Sequence, residues 1–202
     1  MRSLPRLAML FTLASLPLAS AWAEDWKVAK QEDGITVSLA DVPGSSYKAY
    51  RGSAVINASV EKIRLLQEDL TNACHTWMNE CKDARVLKVE GNQAWTYTQF
   101  NTPWPVTPRD SVVRVTTETQ PDGGLTRSIE GLPTYMPEQK GFVRVTQVQG
   151  FWKLVPKGPN VTEVTYQVHT EPGGSVPSWV ANKFVVDAPF TTMKGLRAAA
   201  EK

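Results

Sequence analysis

Residues 161–196 read VTEVTYQVHTEPGGSVPSWVANKFVVDAPFTTMKGL, and this stretch decides the fold class. Its first ten residues have the pattern of a β-strand, and the segment rich in Gly and Pro that follows is a turn. From Ser175 onward the apolar residues recur at helical spacing, which predicts a long helix with Pro177 in its first turn. The apolar side of this helix carries Val180, Ala181, Phe184, Val185, Ala188, Met193 and Leu196. A terminal helix with so wide an apolar side is expected to cover a sheet.

The rest of the chain consists mainly of short strand-like runs separated by Gly, Pro and Asp turns. Strands are predicted at 35–40, 47–56, 85–89, 94–100, 111–120, 125–130, 142–155 (with an interruption) and 161–170. Helical periodicity occurs at one other place, where Ser59 is a candidate N-cap and the apolar stripe contains Val60, Ile63, Leu66 and Leu70. Turns such as Pro121-Asp122-Gly123-Gly124 favour antiparallel hairpins. The pattern predicts an α+β fold in which a long antiparallel sheet curves around the last helix.

The N-terminus has the pattern of a secretory signal peptide. Arg2 and Arg6 precede an apolar run, and Ala21-Trp22-Ala23 fits a small-x-small cleavage site. The run spans about twelve residues, which is shorter than the roughly 20 that a membrane-spanning helix needs. We expect residues 1–23 to be a signal peptide and residues 24–202 to be one exported domain, periplasmic in a bacterium or otherwise secreted. An uncleaved anchor is the alternative.

The charge balance argues against a nucleic-acid partner. Without Arg2 and Arg6 the chain carries 20 basic and 20 acidic residues, and no basic cluster or basic-aromatic stripe occurs along it. Binding to nucleic acid needs a basic patch of that kind. The remaining length suits one domain with room for a large core or, if the fold is hollow, a ligand cavity. We expect a monomer.

The two cysteines, Cys74 and Cys81, are predicted to form a disulfide, because an even pair in an exported protein is usually bonded. On one unbroken helix they would lie about 10 Å apart, which is too far for a bond, so the helix has to end between them. Two free buried thiols are the main alternative. A metal site is the weakest interpretation, because His75 is the only nearby imidazole.

Three segments resemble the START (steroidogenic acute regulatory protein-related lipid transfer) family. They are TYTQFNTPWPVTPRD at 96–110, MPEQKG at 136–141, and PGGSVPSWVAN at 172–182 with Pro189 beyond it. The resemblance covers nearly all of the chain after residue 23, and the three motifs occur in the family's order. It implies a helix-grip fold, in which the C-terminal helix closes a curved antiparallel sheet over an apolar tunnel that holds one lipid.

The residues that line this tunnel can be predicted only from the alternation of side chains along strands and helices. The expected ligand-binding residues are Tyr97, Val113, Val115, Tyr135, Trp152, Tyr166, Trp179, Asn182 and Val186. For each aromatic residue, plain core packing is the alternative. Asn182 is the most specific candidate, because a polar group on an apolar helix side needs a partner, although a backbone carbonyl would also serve.

We interpret the charged residues around the strand predicted at 111–120, and His169, as structural. In the family a buried Arg lies six residues after the Arg of the Arg-Asp pair, whereas Val115 occupies that position here and Arg114 precedes it. Arg114 is expected to point away from the tunnel unless a β-bulge turns it inward. We interpret Arg109 and Asp110 as a salt bridge with each other. His169 is expected at an edge or on the surface.

These observations favour a carrier of a lipid or another hydrophobic small molecule that touches membrane surfaces transiently. We expect no cofactor, no metal and no catalytic residues. One alternative is a lipid sensor or assembly factor that does not transfer its ligand. Another is a helix-grip enzyme of the cyclase or hydrolase kind, although no motif here places a nucleophile beside a base.

Overall fold

The computed structural model describes residues 25–78, 80–102 and 106–202, apart from the side chains of Ser178, Trp179 and Lys183. The elements in chain order are β1 (Lys27–Glu32), β2 (Ile35–Ala40), β3 (Ala49–Ile56), α1 (Val60–Glu68), α2 (Leu70–Thr76), β4 (Cys81–Glu90), β5 (Gln93–Phe100), β6 (Arg109–Thr119), β7 (Leu125–Gly131), β8 (Val143–Arg144), β9 (Gln147–Gly158), β10 (Val161–Glu171) and α3 (Ser178–Ala200). The predicted signal peptide lies outside the described residues. None of the described helices is both long and apolar enough to cross a membrane.

The described strands form one sheet in the order β1-β2-β3-β10-β9-β7-β6-β5-β4, in which every neighbouring pair is antiparallel. The short strand β8 lies off this path and pairs with β6 in parallel. Most pairs are hairpins between consecutive strands, as the turn sequences predict. The predicted α+β helix-grip fold, a curved antiparallel sheet with a C-terminal helix, is confirmed.

The C-terminal helix α3 packs on β2, β3 and the two short helices, and so covers one part of the concave face. A Cβ atom added at Gly52 of β3 would lie 3.2 Å from Cγ of Met193, so glycine lets the helix approach this strand closely. The core formed there contains fully buried aliphatic side chains, including Ile35, Val37, Ile56, Met193 and Leu196. Helix α3 does not pack in this way on the part of the concave face that lies nearer β4.

The earlier helical segment consists of two helices rather than one. Ser59 caps α1 as predicted, because its side chain accepts a hydrogen bond from the Lys62 amide at 3.2 Å. The helix ends at Asp69, whose backbone leaves the helical region and whose side chain caps α2. The single stripe predicted through Leu70 is therefore interrupted.

Cys74 and Cys81 are bonded, with their Cα atoms 4.8 Å apart. The bond is possible because α2 ends at Thr76 and the chain turns before β4 begins at Cys81. The predicted helix end between the two cysteines is confirmed. The disulfide joins the helical layer to the edge strand of the sheet.

The predicted salt bridge between Arg109 and Asp110 is wrong. Consecutive residues on a strand point to opposite faces, so these two side chains cannot meet. Asp110 instead accepts two hydrogen bonds from Arg144 on β8, at 2.8 and 3.1 Å, and both side chains are almost completely buried. Arg144 also donates to the carbonyls of Pro133, at 2.7 Å, and Met136, at 3.1 Å. This ion pair therefore fixes the 131–144 segment to the convex face of the sheet.

Candidate ligand cavity

A cavity of about 1720 Å³ lies between the concave face of the sheet, α1 and the N-terminal half of α3. Ordinary small-molecule pockets span roughly 300–1,000 Å³, so this space suits a larger ligand. Helix α3 contributes residues at helical spacing, namely Ala181, Phe184, Val185, Ala188 and Thr192. The wall is composed mainly of aliphatic and aromatic side chains, as a site for a hydrophobic molecule requires.

Aromatic residues form a continuous part of this wall. The rings of Trp152 and Tyr166 are stacked with centroids 3.9 Å apart, Tyr50 meets Tyr166 edge-on at 5.4 Å, and Trp77 meets Trp152 edge-on at 6.1 Å. Burial raises the pKa of both tyrosines above the usual value of 10. Tyr50 and Tyr166 nevertheless keep some accessible surface and line the cavity. Both tyrosines are therefore part of the cavity wall.

Four of the predicted ligand-binding residues lie on this wall: Val113 and Val115 of β6, Trp152 of β9 and Tyr166 of β10. The register of β6 against its neighbours is uninterrupted, so no bulge changes the facing of its side chains. Arg114 accordingly points away from the cavity and pairs with Glu130. The position at which the family resemblance predicts a buried Arg is occupied here by Val115, an aliphatic residue of this wall.

Tyr97 and Tyr135 lie elsewhere. Thr96, Thr98 and Phe100 of β5 face the cavity, so Tyr97 points to the convex face, where its hydroxyl donates to Asp110 at 2.9 Å. Tyr135 is 45% exposed, because the segment that contains it packs over that convex face. The facing predicted for these two residues was wrong.

On α3, Asn182 and Val186 are also absent from the cavity wall. The Asn182 side chain accepts a hydrogen bond from the Lys48 amide at 3.1 Å and donates to the Ser46 carbonyl at 3.4 Å. It therefore ties α3 to the loop between β2 and β3, as the backbone-partner alternative anticipated. Val186 follows Val185, which faces the cavity, and so lies about 100° further around the helix. The predicted side-chain contact of Trp179 lies outside the described residues.

Sequence reasoning missed two buried polar residues of the wall, Arg127 and Gln67. Each is 6% exposed, and the Arg127 Nη1 donates to the Gln67 Oε1 at 3.0 Å. The Arg127 Nε and the Gln67 Nε2 have no hydrogen-bond partner among the described residues. Burial lowers the pKa of Arg127, while nearby Glu68 raises it and nearby Arg64 lowers it. The available signal was the alternation Leu125-x-Arg127-x-Ile129, which places an arginine on the apolar side of a strand.

Arg109 lines the cavity near the other end of β6. Its Nη1 donates to the Thr107 carbonyl and its Nη2 to the Gly173 carbonyl at 3.3 Å. Burial lowers its pKa. This guanidinium therefore holds together the loops that flank β6 and β10.

His169 is buried at 8% exposure, contrary to the expected edge or surface position. The reason is that β10 lies between β3 and β9 in the sheet. Its Nε2 lies 3.3 Å from Oε1 of Glu171. Within the described ranges, no three His, Cys, Asp or Glu side chains are arranged so that they could hold a metal ion.

Several apolar side chains at the cavity are open to solvent. Val86 and Val89 of the edge strand β4 are 44% and 67% exposed, and Phe184 of α3 is 37% exposed. β4 is the edge strand farthest from the contacts of α3 with β2 and β3, so these side chains mark a rim where the cavity approaches the surface.

Comparison with known proteins gives one consistent result. The START domain family profile matches residues 12–202. An uncharacterised protein of Pseudomonas aeruginosa is 54% identical over the full length of both chains. The crystal structure of a STAR-related lipid transfer protein from Xanthomonas axonopodis is 37% identical and superposes with a TM-score of 0.82, covering 88% of this chain and 99% of that one. The human StAR-related lipid transfer protein 5 has a similar fold, with a TM-score of 0.75 at 19% identity, covering 87% of this chain and 86% of that one.

Proposed function

The chain belongs to the START domain family, and we propose that it binds one lipid or similar hydrophobic molecule in the cavity and carries it between membranes or presents it to a partner. The observation that carries this proposal is the cavity of about 1720 Å³ with its aliphatic and aromatic wall. Burying each methylene group is worth about 0.8 kcal/mol, so a lipid chain needs such an enclosure to cross water.

Contact with a membrane is proposed to occur at the rim. A carrier has to bring its cavity to the bilayer, and exposed apolar side chains next to an opening are suited to that contact. Val86, Val89 and Phe184 have this position and exposure. We propose that a monomer docks transiently through them.

Export is proposed from the N-terminal sequence and the cysteines. Residues 1–23 have a basic start, an apolar run and a small-x-small site. A disulfide between Cys74 and Cys81 suits an oxidising compartment such as the periplasm. On this proposal the working protein is the domain 24–202.

A role without catalysis fits the lipid-transfer relatives. The hydrophobic wall is suited to enclosing a ligand, and binding alone needs no activated nucleophile or metal. A sensor or assembly factor would use the same cavity without delivering its ligand.

The decisive experiment identifies the molecule that the protein binds and measures whether the protein transfers this molecule between membranes. The protein is purified from its native host without denaturation, weighed by native mass spectrometry, and its bound molecules are extracted and identified. Transfer of that molecule between donor and acceptor vesicles is then measured. A one-to-one lipid complex and accelerated transfer support the carrier, whereas binding without transfer contradicts it in favour of a sensor. Absence of any bound or bindable lipid would overturn the proposal.

A matched pair of variants ties the result to the cavity. Val115→Trp places an indole inside the cavity, whereas Arg114→Trp places the same bulk on the opposite face of the same strand. The first is expected to reduce bound lipid and transfer several-fold, and the second to leave both unchanged. Equal behaviour of the two variants would contradict binding at this wall.

A further inference from the structure

Arg127 is an unusual residue for an apolar wall. It alternates on β7 with Leu125 and Ile129, which also face the cavity. Its register partner on the neighbouring strand β9 is Trp152. Guanidinium groups stay protonated in proteins, so this side chain places a permanent positive charge among hydrophobic groups. Such a charge is costly unless it is paired.

The structure provides little compensation for this charge. Among the described residues, Arg127 makes one hydrogen bond, to the neutral Gln67 side chain, and no carboxylate lies within ion-pair distance. Arg144 differs because it pairs with Asp110. Arg109, like Arg127, has an unpartnered Nε and no carboxylate partner among the described residues, but its guanidinium donates to two backbone carbonyls. Of these three, Arg127 has the fewest hydrogen bonds to the protein, so its charge is the one that the fold leaves most in need of a partner.

The nearest charged groups belong to the Glu61, Arg64 and Glu68 cluster on α1. Arg64 binds both carboxylates, at 2.6 Å to Glu61 and 2.5 Å to Glu68. Arg64 makes two hydrogen bonds with Glu61 and one with Glu68, so the excess negative charge of the cluster lies nearer Glu68. This carboxylate raises the pKa of Arg127, but its side chain is 39% exposed and therefore screened by water. The cluster leaves Arg127 without a buried counterion.

The unpaired donors define the chemistry of the missing partner. The Arg127 Nε–H and the Gln67 side-chain NH₂ group are both unused, while the Gln67 side-chain oxygen already accepts a hydrogen bond from Arg127. A group that offers several acceptor oxygens and a negative charge matches these donors, as carboxylates and phosphates do.

Building on the proposed function, we infer that the natural ligand is a hydrophobic molecule with an anionic carboxylate or phosphate group, which Arg127 and Gln67 bind at the α1 end of the cavity. The tail then lies along the wall that contains Val113, Val115 and Trp152. The ligand class is thus anionic amphiphiles rather than neutral lipids.

The test compares oleate with methyl oleate, which have the same tail and differ in charge. Binding of each to the delipidated protein is measured by calorimetry below the concentration at which the probes form micelles. A charge-assisted hydrogen bond predicts that oleate binds at least about ten-fold more tightly. Arg127→Gln is expected to reduce this ratio to about one by weakening oleate binding, whereas the control Arg114→Gln keeps it. A thermal melt verifies that each variant is folded.

Gln67→Met supplies a second variant, which removes the other donor and is expected to reduce the ratio in part. Octadecyl phosphate tests the phosphate arm, and preference for it over methyl oleate also supports the inference. Butyrate and inorganic phosphate test a free anion without a tail; competition from either as strong as that from oleate would overturn the ligand class.

The failure of this inference is distinguishable from failure of the proposed function. If the wild type binds neither oleate nor octadecyl phosphate more tightly than methyl oleate, or if folded Arg127→Gln retains the preference, the anionic class is wrong while lipid binding stands. If the wild type binds none of the long-chain probes, the proposed function itself is contradicted.

Discussion

Gly195 of α3 lies against the backbone of Trp77, such that a Cβ atom added at this glycine would be 2.3 Å from the Trp77 carbonyl oxygen. The oxygen belongs to the residue that ends α2, so this contact sets how closely α3 closes over the two short helices. The Trp77 ring in turn contacts Trp152 in the cavity wall. Gly195 is therefore linked to the cavity wall through Trp77.

Gly195→Ala is expected to destabilise the protein. Alanine favours a helix by about 1 kcal/mol relative to glycine, but overpacking against a backbone atom costs about 1–3 kcal/mol, and the backbone here cannot rotate away. We expect a net loss, measured as the free energy of unfolding in urea. Gly158→Ala is the control, because nothing lies within 4 Å of its added Cβ. Equal stability of Gly195→Ala and the wild type would contradict the close approach.

The buried Asp110 and Arg144 pair gives a second prediction. Arg144→Met leaves the Asp110 carboxylate buried without its counterion, which is expected to cost about 3–5 kcal/mol of unfolding free energy. Arg114→Met breaks a more exposed pair with Glu130 on the same sheet and should cost about 1 kcal/mol or less. Chemical denaturation of both variants measures the contrast. Similar losses would show that the buried pair has no special role.

The disulfide gives a third prediction. Bonding residues seven positions apart restricts the unfolded chain, and a loop of this size corresponds to about 2 kcal/mol. The double variant Cys74→Ala, Cys81→Ala is expected to lose about this much stability in denaturant, and adding reductant to the wild type should reproduce the loss. Reductant should leave the double variant unchanged. A double variant as stable as the wild type would argue against a stabilising bond.

The two cavity tyrosines predict sensitivity to alkaline pH. Burial raises the pKa of Tyr50 and Tyr166 in the folded state, so the folded protein holds both phenolic protons more tightly than the unfolded chain does. Their contribution to stability is complete below about pH 10, the usual tyrosine value, and is lost as the pH rises toward the folded-state pKa. Tyr166→Phe should flatten the loss of stability above that pH. Urea unfolding at neutral and alkaline pH provides the comparison, and an unchanged slope would contradict the prediction.

The fold was predictable because its signals are local. The turn Asp33-Gly34, where both residues have positive φ, and the alternation along β7 are visible in the sequence. Strand β1 was missed because its sequence KVAKQE is polar and mostly exposed on both faces, with Val28 at 63% exposure. An edge strand of this kind has no buried side to produce alternation.

The cavity wall was only half predictable, for a physical reason. In a packed core the large apolar side chains face inward, but a hollow interior needs small residues that leave space. On β5, Thr96 and Thr98 therefore face the cavity, while bulky Tyr97 is buried beneath the 131–144 segment on the other face. No local sequence pattern in β5 indicates that the 131–144 segment covers the convex face of the sheet. The contacts of Asn182 with the loop between β2 and β3 are equally nonlocal.

The unpaired charge of Arg127 predicts a conflict between stability and binding. Arg127→Met replaces a buried cation by an apolar side chain of similar length. Removing the unpaired charge is expected to outweigh the lost hydrogen bond to the Gln67 side-chain oxygen and to raise the free energy of unfolding of the ligand-free protein by about 1 kcal/mol. For a domain of this size that corresponds to a rise in melting temperature of about 2–4 °C. Arg109→Met should lower it instead, because it removes donors from the Thr107 and Gly173 carbonyls. With an anionic amphiphile present the order should reverse, since tighter ligand binding stabilises the wild type more than Arg127→Met. Thermal melts with and without oleate measure both effects, and a ligand-free Arg127→Met that melts below the wild type would mean that the fold itself already satisfies this charge.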